Sequence, residues 1–162
     1  MLLHPSSLLA AQKEIDRVIG ADRLPTLSDR SKLPYIDALV KEVLRWHPIV
    51  NVNLPHVVME DDTYDGYLIP KGSIILANIF AFTHSLSTYS SPMLFNPSRF
   101  LGPAPEKDPR GVVFGFGRRI CVGKELADTS IWVAIAVCCA VFNIKKQGIG
   151  KAKYEFAGGL VR

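Results

Sequence analysis

The chain has 162 residues, 48% of them hydrophobic and 21% charged, with a formal net charge of +4. One domain of ordinary size with a real core fits those values, and a disordered chain does not. The excess of positive charge is modest and has no long basic run, so it names no partner class by itself.

Residues 5–20 read as a first helix. Pro5 suits a first turn, Leu8, Ile15, Val18 and Ile19 share one face, and Gly20 is a natural stop. The following stretch, 21–32, reads as a loop. A second helix is predicted over 34–46, where Ile36, Leu39, Val40, Val43 and Leu44 recur at helical spacing and Pro48 ends it. Residues 50–54 alternate apolar and polar and predict a strand, as do 56–59, 67–69 and 73–79. Asp65-Gly66 is the strongest hairpin signal in the chain. Residues 85–110, rich in Ser and Pro, read as an ordered loop with short turns. Residues 114–117 form an aromatic and glycine turn, and the last helix is predicted over 123–142. Its apolar run, 131–142, is about a dozen residues, where a bilayer span needs roughly 20, so it reads as a buried helix. A loop over 145–153 and a strand with a Gly158-Gly159 turn complete the reading. Residues 1–11 lack the pattern of a secretory leader.

Three cysteines, Cys121, Cys138 and Cys139, give no disulfide framework and favour a reducing compartment. Cys138 and Cys139 lie inside the apolar run and read as packing residues. Cys121 is different. It stands just before a long helix, whose start favours a thiolate, with Arg118 and Arg119 close before it. Gly115, Gly117 and Gly123 allow tight turns and a close approach by something large. A free cysteine taken alone is most often a small buried residue. This one has a basic, aromatic and glycine-rich setting that suits a planar anionic cofactor. His4, His47, His56 and His84 have no metal-ligand spacing.

The segment F-G-F-G-R-R-I-C-V-G, 114–123, resembles the signature of the cytochrome P-450 superfamily, F-x-x-G-x-R-x-C-x-G, with Phe114, Gly117, Arg119, Cys121 and Gly123 at the matching positions. Val122 departs from the proline that many members carry. The resemblance implies haem b with Cys121 as axial iron ligand, its thiolate pushing electron density toward the iron. It further implies Arg119 as partner of a haem propionate, Phe114 packed near the ligand, and His56 as a second propionate partner. Glu42 and Arg45 form E-x-x-R one helical turn apart. Alone, that pair reads as a solvated surface ion pair worth under about 1 kcal/mol. With F-N-P-S-R-F, 95–100, the resemblance implies instead a buried structural triad of Glu42, Arg45 and Arg99. Residues 50–54 resemble a segment that lines the substrate pocket. W-H-P, D-G-Y-L-I-P-K-G and D-P-R look most like fungal members.

The implied fold is mainly α with a small antiparallel β portion, an incomplete C-terminal haem-binding part. Residues 1–162 form one partial domain, about the C-terminal third of the family's length. The long helix on the oxygen side of the haem and the N-terminal anchor have no counterpart, so the expectation for the isolated chain is an inactive fragment, the product of a truncated gene model, a spliced form or a pseudogene. The implied reaction is monooxygenation of a small apolar organic substrate, with electrons from an NADPH-dependent reductase. Full-length members would sit at the endoplasmic reticulum membrane; for this chain alone the location is cytoplasmic or open. A competing reading takes 110–117 as an RNA-binding strand using Phe114 and Phe116, but the further aromatic that such a strand needs is replaced by Arg118, Arg119, Ile120 and Cys121. A dinucleotide loop fails because Ile120 stands where the third glycine belongs.

Overall fold

The computed structural model describes residues 1–145. The predicted loop over 145–153 lies beyond them save for Lys145, and the predicted strand and turn over 154–162 lie outside altogether.

Three helices make the core. Helix α1 spans Pro5–Val18, α2 spans Pro34–Trp46 and α4 spans Lys124–Val141, with a five-residue α3, Ile79–Thr83, between them in sequence. Leu8, Ala11 and Ile15 of α1 meet Ile36, Leu39, Val40 and Leu44 of α2 and Trp132, Ala136 and Cys139 of α4 in one buried cluster. The helical spacing read from the sequence is the spacing that fills this core. Each fully buried Leu, Ile or Val contributes roughly 1.5–3 kcal/mol of transfer free energy. The ends are tied across elements as well. The buried Glu14 carboxylate of α1 accepts from the backbone N–H groups of Tyr35 (2.9 Å) and Ile36 (3.0 Å), two donors that the first turn of α2 leaves without a helical partner. A second cluster, Ala38, Tyr89 and Phe100, packs the 85–110 segment onto the other side of α2.

The β portion is two separate antiparallel pairs. Strand β1, His56–Val57, pairs with β4, Ile74–Ile75; β2, Asp62–Tyr64, pairs with β3, Tyr67–Ile69. Asp65 (φ 50°) and Gly66 (φ 80°) close the second pair, as a two-residue hairpin requires.

Several expectations change. Residues 50–54 are not a strand: an isolated bridge joins Val52 to Asn78, and the Asn53 side chain accepts from the next backbone N–H. The strand expected over 73–79 stops at Ile75, and the Asn78 side-chain Oδ1 accepts from the Ala81 N–H to start α3. The loop over 21–32 contains a 3-10 turn, Leu27–Lys32, started by Asp29 reaching back to the Thr26 N–H at 2.9 Å. Two further 3-10 turns, Pro97–Phe100 and Pro109–Gly111, punctuate the long loop, each with proline first. Helix α4 is not buried all round. Cys139 is inside, where burial lifts its thiol to about 11, but Cys138 faces outward and is no core residue. None of the described helices is long and apolar enough to cross a membrane.

Candidate functional site

The cysteine segment is a knot of local hydrogen bonds set at the start of α4. Phe114 is half-buried against the helical core, and its carbonyl oxygen accepts from the Cys121 N–H at 2.8 Å. Inside that closure the Ile120 N–H donates to Gly117 O (3.2 Å) and the Gly115 N–H to Val112 O (3.1 Å). Cys121 O then accepts from the Lys124 N–H at 3.2 Å, and Gly123 O from Ala127 at 2.8 Å, which launches the helix. Two positions require glycine. Gly115 (φ +81°) and Gly117 (φ +57°) hold left-handed backbone that lets the chain double back on itself. At Gly123 an added Cβ would lie 3.8 Å from the Cys121 sulfur, so glycine keeps the space beside the thiol clear.

Cys121 is exposed, as are Arg118, Arg119 and Val122 around it. Cys121 sits three residues before Lys124, the first residue of an 18-residue helix. Phe116, Ile120, Val122 and Leu126 present apolar side chains to solvent beside it, and Phe82 meets Phe116 edge-on at 6.3 Å. Among the described residues no three His, Cys, Asp or Glu side chains converge on one point. A lone thiol is the ligand set that an iron already held in a macrocycle takes from a protein. A single thiol, a glycine-cleared approach, an apolar rim and two free-standing arginines fit such a flat, anionic group.

The other sequence candidates divide into two sets. His56 stands exposed on β1 opposite Ile75, and among the described residues no hydrogen bond joins it to the cysteine segment. Glu42, Arg45 and Arg99 come together. Both Glu42 and Arg45 have fully buried side chains, so the surface-pair reading of E-x-x-R is overturned. Arg45 grips the Glu42 carboxylate with Nε and Nη2, each at 2.8 Å, and sends Nη1 to Thr83 O at 2.9 Å. Arg99 Nε lies 3.2 Å from Glu42, and its Nη atoms reach Ser90 O (2.7 Å), Leu94 O (3.0 Å) and Glu106 (2.7 Å). Glu42 also accepts from the Asn96 N–H at 2.7 Å. Tyr89 lies under the Arg45 guanidinium at 5.4 Å, and burial pushes its phenol up to about 12.

Sequence reasoning missed two features. The Asn53 side chain lies against Gly115, 3.7 Å from the point where a Cβ would stand, and links the 50–54 stretch to the cysteine segment. Arg110, noted only as part of D-P-R, joins Asp108 to Asp128 on α4. The Asp-Pro pair was the available signal, since Asp108 caps the turn by accepting from the Arg110 N–H at 2.9 Å.

The family model described as Cytochrome P450 matches residues 1–161. The chain belongs to the cytochrome P450 family. This P450 chain is 54% identical over 169 residues to a cytochrome P450 monooxygenase (claR) of Ampulloclitocybe clavipes, covering 99% of this chain and 32% of that protein. It is 44% identical over 164 residues to an O-methylsterigmatocystin oxidoreductase of Aspergillus flavus, covering 99% and 31%. Among solved structures, a zebra fish cytochrome P450 with abiraterone superposes with a TM-score of 0.82 at 36% identity, covering 91% of this chain and 35% of that one. The chain thus spans about a third of the length of the P450 relatives it matches. These relatives agree with the family assignment and give the RNA-binding reading no support. Phe114 is not on a strand at all but in a turn, half-buried on the helical core.

Proposed function

We propose that these residues form the cysteine side of a haem-thiolate monooxygenase, with Cys121 as axial ligand of haem b iron. The observation that carries this reading is the exposed Cys121 thiol, fixed by the Phe114 carbonyl immediately before α4 and cleared on one side by Gly123. When bound, haem supplies oxygen activation, so that one atom of O2 enters the substrate and the other leaves as water. The chain's own residues do the holding. Cys121 would hold the iron through its sulfur, from the turn just before α4. Arg119 takes a propionate by charge-assisted hydrogen bonding, with His56 as a second partner. Phe114 and Gly117 shape the turn, and with haem in place the exposed apolar rim of Phe116, Ile120 and Val122 would help to exclude water from the sulfur.

The substrate class is a small apolar organic molecule, in keeping with the O-methylsterigmatocystin named for one relative and the progesterone bound in another zebra fish P450 structure. Most of a substrate pocket would come from the two thirds of such a protein outside this chain. Electrons come from an NADPH-dependent reductase whose acidic face meets the basic cysteine side; in a full-length context Lys124→Glu slows electron transfer, and an unchanged rate would remove this docking role.

The deciding experiment is a reduced carbon monoxide difference spectrum of the expressed chain supplied with haem, beside Cys121→Ser. A red-shifted thiolate-type band that disappears in the variant is the expected result. A band that survives the substitution would remove Cys121 as ligand.

A further inference from the structure

Besides the buried triad, the molecule holds a second ionic assembly. Three carboxylates, Asp37, Asp108 and Asp128, interleave with three cations, Arg30, Lys41 and Arg110. Arg30 lies 2.6 Å from Asp37 and 2.7 Å from Asp128. Lys41 lies 3.1 Å from Asp37 and 3.8 Å from Asp108. Arg110 reaches all three carboxylates, at 2.6 Å to Asp108, 3.3 Å to Asp128 and 3.6 Å to Asp37. The formal charges balance. Side-chain exposures run from 10% to 43%, low enough for the pairs to be stronger than open surface bridges.

The placement in the chain gives this assembly its meaning. Arg110 is the last charged residue before the cysteine segment, and Asp128 lies in the second turn of the helix after it. The hydrogen bonds of residues 112–123 close mostly on the segment itself, so they fix its shape and not its position on the body. Position is set by its apolar foot, Val113 and Phe114, and by its two ends. We propose that Arg110 is a positioning residue for Cys121: its guanidinium ties the entry of the cysteine segment (Asp108) to its exit (Asp128) and both to α2 (Asp37). A planar fork with five donors holds its carboxylates in fixed relative directions, which the single point charge of an ammonium does not. This rests on the proposed haem-ligand role only in what Cys121 holds; the clamp exists whatever binds there.

The test is amide hydrogen exchange on the 162-residue chain, comparing the wild type with Arg110→Met and Arg110→Lys. Methionine keeps the apolar stem and leaves Val113 and Phe114 untouched. Exchange at the Gly115, Cys121 and Lys124 amides should quicken about tenfold or more in Arg110→Met, while amides of α1 and of the second half of α2 stay within about twofold. Lysine should restore part of the protection. Uniform acceleration, or unchanged exchange over 113–124, would overturn the clamp. Where Arg110→Met fails to fold, Asp128→Asn decides by the same pattern, since it keeps shape and removes one charge. A failed carbon monoxide experiment leaves the exchange result standing, so the two readings fall separately.

Discussion

Glu42 is the residue on which the buried ionic triad turns. Its carboxylate is fully buried and accepts from two arginines and one backbone N–H. Removing it leaves two guanidinium groups in a dry place without their counter-charge, the costly half of a buried pair. Glu42→Ala is therefore expected to lose about 3–5 kcal/mol, read as a shift of the urea midpoint. Arg99→Ala should cost less, because Arg45 keeps both its contacts with Glu42. A Glu42→Ala loss under about 1 kcal/mol would mean that water reaches the site. The sequence alone could not reach this burial. E-x-x-R places two charges one turn apart, but the cover over them comes from Thr83, Leu94 and Arg99, 38 to 57 residues away. Only the resemblance pointed inward. Cys138 shows the converse: its apolar neighbours suggested a core position, yet helical phase turns it out while Cys139 faces in.

At the scale of elements, long helices were legible throughout and strands only in part: 67–69 is β3 as read, 56–59 and 73–79 shorten to two residues each, and 50–54 is no strand. Helix α2 begins and ends where the periodicity and the prolines place it, because its stripe has a full core to fill. The strands lie almost wholly in solvent, so alternation along 50–54 and 73–79 had no buried face to report. The hairpin at Asp65-Gly66 was readable because it depends on backbone angles alone. The cysteine turn was legible for the same reason, and its cost can be predicted. Gly115→Ala meets only ordinary contact with Asn53, so its penalty is the left-handed backbone itself, about 1–2 kcal/mol. Gly111→Ala, at an unstrained position with open space around it, should be nearly neutral and serves as the control. Urea midpoints of the two variants make the comparison; equal losses would mean that the turn relaxes to another shape.

For the whole molecule, the groups that titrate on the acid side all pull the same way with pH. Burial lowers the pKa of His84, which stacks on Phe80 at 4.0 Å and leaves its Nε2 buried without a partner; burial lowers His4 as well. The folded state resists their protonation while the unfolded chain takes protons near about pH 6.5, so stability falls as pH drops below that value. Asp37, Asp108 and Glu106 follow at lower pH. Burial alone would raise each, but hydrogen bonds from Arg30 and Lys41, from Arg110, and from Ser90 and Arg99 outweigh it and leave all three lowered. Their contribution is complete above about pH 4 and disappears as pH falls through the folded values. Acid unfolding should therefore come in two stages, one carried by histidines and one by the ionic clusters. The urea midpoint should decline between about pH 7 and pH 5, and His84→Phe, which keeps a ring against Phe80 and removes the buried nitrogen, should flatten that decline. It should leave the second stage untouched, because no carboxylate of the ionic clusters binds His84. A profile unchanged by His84→Phe would place the first stage on His4, and a flat profile down to about pH 5 would show that neither ring is held neutral by the fold.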